Sequence, residues 1–413
     1  MLLKKLIRLY NSLPFFGPFL SCVDKQHRLL YSKVYFCSTY KMPLLLRVIL
    51  YPVLYVMWLI KGAYLVIRNF YHNSNDTRCN YNVSNLKQLK NLLFFTFIFN
   101  INPERYYTLR LFKKNFSRNE PFMSNSHLTP ILRFISRSGS VLAINDKFEF
   151  WKKLKDNTIR IPETLAIISK NGISLLKEGQ SFPESDLFLK PVTGSRGYDC
   201  TLLMYGGNGI YNPEHSEFHF NETNLKKYLR HKAFRQNYIL QPRYLNHPDL
   251  NDISNGHLCT CRIVTYLEDN QVPKFLFSLF MMPVGDSISS NTGAIWSAID
   301  SETGILEAPS DMYQKELIDK HPQGGGVIKG KNLPFWEEVK ESCIMAHSMF
   351  SDLHFIGWDV ALCREGPVIL EGNISWDLEF WQLNETFQSA ILFFKSVLEE
   401  KLQAELQTLK HKP

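Results

Sequence analysis

The sequence predicts an α+β fold with mainly antiparallel sheets, preceded by a helical N-terminal region. Three strand-like runs, YILQPRYL, TCRIVTYL and KFLFSLFMM, follow one another between residues 238 and 282 without a helix-like run between them. Consecutive strands joined by short connections pair antiparallel. Helix-like runs lie on either side, DKFEFWKKLKDN before them and residues 334–353 after them. Helices set apart from a series of strands are typical of the α+β class.

Length and composition indicate a globular protein with two or three domains. The chain has 413 residues, 45% hydrophobic and 21% charged, which is enough apolar material for a sizeable core. The net charge of +8 belongs to one end, because the first 70 residues hold ten Lys or Arg and one Asp. We therefore expect no nucleic-acid partner. Eight cysteines without a CxxC spacing favour a reducing cytoplasm.

The basic end also carries the apolar run MPLLLRVILYPVLYVMWLIKGAYLVI. Its longest uncharged stretch, Val48 to Ile60, has 13 residues, whereas a spanning helix needs about 20, and Pro52 would kink a helix there. The run predicts an interfacial helix on an anionic, cytoplasm-facing leaflet, so we expect a cytoplasmic protein associated with the inner face of the membrane. A spanning helix with snorkelling Arg47 and Lys61, and a buried helix, are the alternatives.

Further along the chain, the polar run NSNDTRCNYNVSN predicts a joint, and Leu86 to Phe134 predicts helices. ETLAII and DLFLKPV are strand-like, TGSRGYD is a loop between FLKPV and CTLLMY, and Asn224 to Phe234 is helix-like. The predicted domains are a membrane-associated segment, a helical lobe, a small subdomain with a glycine loop and a C-terminal subdomain with a metal site. Their ranges are 1–72, 73–145, 146–245 and 246–413.

The segment IGWDVALCREGPVILEGNISWD predicts a hairpin with carboxylates on facing strands. If the turn is centred on Glu365, then Asp359 lies opposite Glu371, and Asn373 shares the face of Glu371 because strand side chains alternate. Opposed carboxylates are destabilising unless a cation lies between them. Two carboxylates and an amide suit Mg²⁺ rather than zinc. A solvated hairpin with its acids in water is the alternative.

Four upstream features would suit a nucleotide. Lys190 ends a strand and can project toward phosphate, and the glycines of the loop 193–197 let backbone N–H groups approach phosphate oxygens. Lys147 stands at a helix N-terminus, where positive charge is unfavourable without an anion nearby. Arg262 lies in an apolar strand and needs a partner, either a structural acid or a transferring phosphoryl group. For the loop and Lys147, a plain turn and an exposed lysine are the alternatives.

In this order the residues resemble the ATP-grasp superfamily, and more closely its sugar-transfer-associated branch. The resemblance runs from about Asn102 to about Phe380, whereas Met1 to about Asn85 lies outside it. It implies an ATP-grasp fold, in which two α+β subdomains with mainly antiparallel sheets clasp ATP. The motifs that carry it are NPERYYTLRLF, NDK, FLKPVTGSRGYD, LQPRYLNHPDLND, TCRIVTYL, SNTGAIWSAID, HPQGGG and GWDVALCREGPVILEGN.

The resemblance also implies roles for particular residues. Two of them, Lys190 and Arg262, would be catalytic, with Arg262 near the γ-phosphate. The residues implied to contact ATP are Lys147 and Lys190 at the phosphates, the loop residues Gly194, Ser195, Arg196 and Gly197 over them, and Gln241, Pro242, Arg243, Tyr244 and Leu245 at the adenine. Mg²⁺, or Mn²⁺ in its place, would be held by Asp359, Glu371 and Asn373.

Two positions depart from the family pattern. Gln241 stands where many relatives have Glu, although an amide oxygen still accepts a hydrogen bond from an adenine amino group. Ser290 stands where the branch commonly has an acidic residue, so Asn291 is only a second-rank ATP contact.

The resemblance implies an ATP- and Mg²⁺-dependent carboxylate–amine ligase that acts through an acylphosphate. A carboxylate-bearing sugar, such as a uronic acid, or an amino acid from cell-surface polysaccharide biosynthesis is the expected substrate. One alternative is a kinase that transfers the γ-phosphate to a sugar or lipid hydroxyl, and another is an inactive membrane-associated interaction protein.

Overall fold

The computed structural model describes residues 28–113, 122–137, 140–176, 181–194, 197–214, 216–285, 294–310, 318–384 and 387–410. Its helices are α1 (Arg28–Thr39), α2 (Leu44–Tyr81), α3 (Asn85–Phe97), α4 (Pro103–Thr108), α5 (Asn125–Ile135), α6 (Ser140–Asn145), α7 (Lys147–Leu154), α8 (Glu222–Lys232), α9 (Trp336–Ser348), α10 (Glu379–Leu383) and α11 (Gln388–Lys410). Its strands are β1 (Ala166–Ser169), β2 (Gly172–Leu175), β3 (Leu187–Pro191), β4 (Thr201–Tyr205), β5 (Tyr211–Pro213), β6 (Tyr238–Pro242), β7 (Thr260–Leu267), β8 (Pro273–Pro283), β9 (Ala294–Ile299), β10 (Leu306–Ser310), β11 (Phe355–Cys363) and β12 (Gly366–Asn373).

The described parts of Met1–Arg137 and Ser375–Pro413 form one compact unit, and those of Ser138–Ile374 form another. These units do not follow the predicted domain ranges. The helices α10 and α11, which fall within the predicted 246–413 subdomain, join the N-terminal helices because α11 packs on α1 and α5. The strands and the helices α6 to α9 make up the other unit.

Helix α2 is the longest element of the first unit, with 38 residues. Its buried side includes Leu54, Trp58 and Gly62, spaced four residues apart. The Trp58 indole donates to Asn100 Oδ1 at 2.8 Å, and a Cβ on Gly62 would lie 2.9 Å from the Phe97 ring. A small residue is therefore needed where α2 packs on the end of α3.

The predicted polar joint at Asn73 to Asn85 is wrong for most of its length, because α2 continues to Tyr81. Side-chain pairs within this run span one turn of the helix: Arg78 Nη2 donates to Asn75 Oδ1, and Asn80 Nδ2 donates to Asp76 Oδ1, each at 2.9 Å. The helix ends where Asn82 adopts a left-handed conformation. Local hydrogen bonds thus carry the helix through a polar run that suggests a loop.

The outer side of α2 is apolar and exposed. Among the described residues, α2 is the one helix whose length and composition would allow it to cross a membrane. Seven of its exposed apolar residues recur every three or four positions, which places them along one stripe of the helix. We call this set the α2 stripe: Ile49, Val53, Val56, Ile60, Tyr64, Ile67 and Tyr71.

The second unit contains two six-stranded sheets, both antiparallel throughout. Sheet A has the order β2-β1-β6-β3-β4-β5, and sheet B has the order β10-β9-β8-β7-β11-β12. The α+β class with antiparallel sheets is therefore confirmed. Helix α8 covers sheet A through Leu225 and Leu229, which are fully buried in its core.

Sheet B has the larger core. Helices α7 and α9 pack on one face of it, where Phe150 and Phe350 lie against Trp358. All nine residues of β11 are buried, which explains why its sequence is apolar on both faces. Because side chains alternate along a strand, Trp358 faces this core and Asp359 faces the opposite side.

The hairpin β11–β12 contains a β-bulge that sets the position of the carboxylates. A two-residue turn joins the strands, so Val360 pairs with Ile369. That register alone would put Asp359 opposite Leu370 and turn Glu371 to the other face. Leu370 is instead the extra residue of a bulge, after which Asp359 pairs with Glu371.

The predicted opposition of Asp359 and Glu371 is thus confirmed, although its predicted basis is not. The turn consists of Arg364 and Glu365 rather than being centred on Glu365. The observed turn is one residue shorter than the predicted turn. The extra residue at the bulge compensates for this difference and restores the predicted pairing. Asn373 lies two residues beyond Glu371 and pairs with Gly357.

Candidate nucleotide site

Sheets A and B of the second unit face each other across an open cleft of about 1100 Å³, counting its mouth. Both sheets, helix α7 and the loop after β3 contribute to its wall. The structure brings most of the predicted site residues together here. Those that line the cleft are Lys147, Lys190, Gly194, Gly197, Gln241, Pro242, Arg243, Tyr244, Asp359 and Glu371.

Arg262 and Asp359 form a bidentate ion pair on neighbouring strands. Arg262 on β7 lies directly opposite Asp359 on β11, and its Nε and Nη2 atoms donate to Oδ1 and Oδ2 at 2.5 and 3.0 Å. Burial raises the pKa of Asp359 to about 6 against the lowering effect of Arg262, and the charge of Glu371 adds to the rise. The sequence predicts a structural acid or a transferring phosphoryl group as the partner of Arg262, and in the structure Arg262 contacts an acid, Asp359.

Lys147 links the acidic hairpin to the glycine loop. It is the first residue of α7, whose N-cap Asp146 accepts from two backbone N–H groups. Its Nζ lies 3.3 Å from Glu371 Oε2 and donates to Gly194 O at 3.1 Å. Glu371 is thus the anion expected near this lysine. Burial alone would raise the pKa of Glu371, but Lys147 and Lys190 outweigh it and lower the pKa to about 2.

Lys190 is a buried cation, with only 8% of its surface exposed. Burial, together with the neighbouring charge of Lys147, lowers its pKa to about 8, against the opposite effect of Glu371. Among the described residues no carboxylate lies within ion-pair distance of its ammonium. Arg262 and Asn373 are not part of the lining, but they contact Asp359 and Glu371, which are. Lys147, Lys190 and Arg262 thus lie around two carboxylates, an excess of positive charge that suits an anionic ligand.

The loop after β3 lies at the mouth of the cleft. Gly194 and Gly197 line it, and Gly197 has a left-handed φ of 64°, which favours glycine. The predicted contacts Ser195, Arg196 and Asn291 lie outside the described residues.

Strand β6 and the residues after it form the other end of the cleft. Gln241 Nε2 lies 3.4 Å from Pro162 O and 3.3 Å from Thr164 Oγ1, donating to both. Its carbonyl oxygen is the remaining polar atom of the amide. Leu245 is not part of the lining, and its side chain is 61% exposed.

Several lining residues were missed by the sequence reasoning. The apolar side chains of Phe188, Leu202 and Leu370 line the cleft beside the charged groups. Strand alternation could have found Phe188, because it lies two residues before Lys190 on β3 and so shares its face. Leu370 could not be found this way, because its side chain reaches the cleft through the bulge.

The residues predicted to hold Mg²⁺ are all oxygen donors. Asp359 and Glu371 are opposed across the hairpin, and Asn373 Nδ2 lies 3.5 Å from Glu371 Oε1. Carboxylate and amide oxygens are the ligands that Mg²⁺ prefers. Each carboxylate already lies against a protein cation, so a divalent ion would share these oxygens with Arg262 and Lys147. The donor set fits Mg²⁺.

The family model described as sugar-transfer associated ATP-grasp matches residues 131–390 of the chain. Among curated proteins no match is found.

Solved structures with a similar fold share little sequence with the chain. The D-alanine-D-alanine ligase from Coxiella burnetii has 12% identity and a TM-score of 0.34 over 66% of this chain and 61% of that chain. The Bacillus anthracis D-alanine–D-alanine ligase complexed with ATP has 13% identity and a TM-score of 0.35 over 66% and 69%. The L-amino acid ligase from Bacillus licheniformis has 12% identity and a TM-score of 0.31 over 57% and 41%. The first and third alignments span less than two thirds of those proteins.

Proposed function

Since the chain belongs to the sugar-transfer associated ATP-grasp family, we propose that it is an ATP- and Mg²⁺-dependent ligase that joins a carboxylate to an amine. The observation that carries this proposal is the arrangement of charges in one cleft. Lys147, Lys190 and Arg262 lie around the opposed carboxylates Asp359 and Glu371, next to the glycine loop.

The chemistry follows from the weakness of a carboxylate as an electrophile. A carboxylate oxygen first takes the γ-phosphoryl group, forming a P–O bond as the bond to the β-phosphate oxygen breaks. The amine then attacks the carbonyl carbon of the acylphosphate, inorganic phosphate leaves, and the nitrogen loses a proton. Negative charge develops on the phosphoryl oxygens in the first step, so cations are the groups that this step needs.

Each part of the cleft has a role in this scheme. Lys147, Lys190 and the backbone of the glycine loop bind the phosphates, and Gln241 accepts a hydrogen bond from the adenine amino group. Arg262 neutralises charge on the transferred group, in exchange for its contact with Asp359. Asp359, Glu371 and Asn373 hold Mg²⁺, which when bound compensates phosphate charge.

The substrate proposed is a carboxylate-bearing sugar or an amino acid used in cell-surface polysaccharide biosynthesis. The description of the family as sugar-transfer associated supports the sugar. The apolar, basic N-terminal region supports a substrate handled at the membrane.

A kinase is the second candidate, because the cations would stabilise phosphoryl transfer to a hydroxyl equally well. Hydroxylamine distinguishes the two. It attacks an acylphosphate to give a hydroxamate, whereas a phosphorylated hydroxyl does not react. The protein is incubated with Mg·ATP and pools of uronic acids and amino acids, and ADP and hydroxamate are measured. ADP formation with hydroxamate supports the ligase; ADP and a phosphorylated acceptor without hydroxamate would overturn it.

We also propose that the α2 stripe binds the anionic inner face of the membrane. Its apolar residues are exposed at one side of α2, and the basic residues Lys61 and Arg68 are exposed on the same helix. Between Ile49 and Tyr71 the helix has no acidic residue, so a second copy docked on this stripe would bring like charges together. The opposite side packs on α3, which favours a helix that lies in the plane of the interface.

Vesicle sedimentation tests the membrane proposal. The whole chain should pellet with phosphatidylglycerol vesicles and much less with phosphatidylcholine vesicles. Ile60→Glu should abolish pelleting, whereas Leu142→Glu, at an exposed leucine outside the stripe, should leave it unchanged. Point variants are needed because a deletion ending at Asn73 would cut α2. Equal pelleting of Ile60→Glu, or its conversion of a dimer to a monomer in sedimentation velocity, would count against a lipid partner.

A further inference from the structure

Three side chains converge on Asp199, just beyond the glycine loop. Lys232 Nζ donates to Asp199 Oδ1 at 2.6 Å, and Gln236 Nε2 donates to Oδ2 at 3.0 Å. The Tyr238 hydroxyl also donates to Oδ2. These three donors come from the end of α8 and the start of β6.

The other end of the loop is attached to the same segment. Val192 N donates to Asn237 O at 2.9 Å, and Pro191 pairs with Tyr238 in sheet A. Both described ends of the glycine loop, residues 192–194 and 197–200, are therefore tied to residues 232–238. Strand β6 continues from this segment to Gln241 at the base end of the cleft.

The backbone conformation of Asp199 supports a role in this attachment. Its φ of 61° is left-handed, a region that L-residues other than Asn and Asp rarely adopt. The Asp199 side chain is 28% exposed, so packing alone does not account for its conformation. A turn closed by Cys200 N donating to Gly197 O at 3.3 Å directs the carboxylate toward its three donors.

We propose that Asp199 is a positioning residue that holds the glycine loop in register with β6, and so sets the phosphate end of the nucleotide relative to its base. This inference rests on the proposed nucleotide site. It predicts that substitution of Asp199 weakens the contacts with the phosphates of the nucleotide and leaves the contacts with its base unchanged.

The test compares two ligands on the full chain by calorimetry with Mg²⁺ present. The probes are adenosine 5′-(β,γ-imido)triphosphate, which carries all three phosphates, and adenosine, which carries none. Asp199→Asn should weaken triphosphate binding about tenfold, on the order expected for hydrogen bonds to a charged group. Adenosine binding should not change. Lys232→Met should have a similar effect, and the double variant should be no worse than either single variant, because both act through one contact.

Glu222→Gln is the matched control, since Glu222 binds Lys226 on the same helix without contact to the loop. Thermal unfolding is recorded for each variant, and Tyr238→Phe replaces Asp199→Asn if the latter does not fold. Equal weakening of both ligands, or no weakening of either, would overturn the inference. If the unmodified chain does not bind the triphosphate, the proposed function itself fails.

Discussion

The two sheets that line the cleft present their charged groups at different places along their strands. In sheet B, Asp359 lies on β11, which is buried over its whole length and flanked by strands on both sides. In sheet A, Lys190 lies at the end of β3, just before the glycine loop, and has no partner as close as the one Asp359 has in Arg262. Asp359 is therefore held in the middle of a buried strand, whereas Lys190, which is proposed to contact phosphate, lies next to a strand end and a loop.

This difference suggests a division of labour between the sheets. Sheet B would fix where phosphoryl transfer takes place, and sheet A would bind the nucleotide. If so, substitutions in sheet B should reduce turnover with little change in nucleotide affinity, and substitutions in sheet A should reduce affinity first.

The largest expected effect is that of Asp359→Asn. Loss of this carboxylate removes a proposed metal ligand and the partner of Arg262, so turnover should fall about 10²–10³-fold, the usual cost of losing a charge-stabilising group. ADP release is measured at saturating ATP, and nucleotide affinity is measured by calorimetry. Glu365→Gln, in the turn of the same hairpin, is the control and should retain full turnover. Unchanged turnover of Asp359→Asn would contradict the proposed role of this carboxylate, whereas no turnover in either protein, with unchanged nucleotide affinity, would favour the inactive interaction protein.

Lys190→Met should have the next largest effect, on affinity. A buried cation that contacts phosphate contributes strongly to binding, so affinity for the triphosphate should fall about 100-fold. The folded chain should become more stable, because methionine replaces a buried charge without the desolvation cost. Thermal unfolding and calorimetry measure both effects.

The control for this substitution is Lys170→Met, at an exposed lysine in the β1–β2 turn of the same sheet. It should alter neither quantity. A Lys190→Met protein that binds normally but turns over slowly would place Lys190 with the acids and break the proposed division.

The sequence predicts those elements of the site that depend on local properties of a segment, and it does not predict those that depend on pairing between segments. Strand β7 matches the predicted run TCRIVTYL from end to end, because strand alternation and apolar content are local properties. The carboxylate pairing was also predicted, but the bulge at Leu370 was not. A bulge depends on how a strand pairs with its neighbour, which a single strand's sequence does not show.

The N-terminal unit shows the same limit. The polar residues 73–81 suggest a loop by composition, yet side-chain pairs one turn apart, Arg78 with Asn75 and Asn80 with Asp76, support the helix there. The helices α10 and α11 lie next to sheet B in the sequence, but α11 packs on α1 and α5, and α10 packs on α11. Contacts between distant segments decide such placements, and periodicity within a segment does not report them.

Nucleotide affinity should depend on pH through Lys190. Its pKa in the folded chain is about 8, lowered from 10.5 by burial, so the lysine is charged below pH 8 and loses its proton above it. Affinity for the triphosphate should be constant below about pH 8 and fall by up to tenfold per pH unit above it. For stability the sign is opposite: the lowered pKa costs stability while Lys190 is charged, and this cost disappears as pH rises from about 8 to about 10.5.

Calorimetry between pH 6.5 and 9.5 checks this dependence, with Lys190→Met as the reference. That variant should show a flat profile. If it shows the same decline as the unmodified chain, the titrating group lies elsewhere.

The smallest expected effect is that of Gln241→Met, which tests the base end of sheet A. The Gln241 amide nitrogen donates to Pro162 O and Thr164 Oγ1, so its carbonyl oxygen is the atom that can accept from an adenine amino group. Methionine keeps the volume and removes the acceptor, so affinity for ATP should fall about fivefold, the effect of one neutral hydrogen bond. Affinity for GTP, which has a carbonyl at that position, should stay the same or rise. Equal losses for the two nucleotides would mean that Gln241 supports the strand and does not select the base.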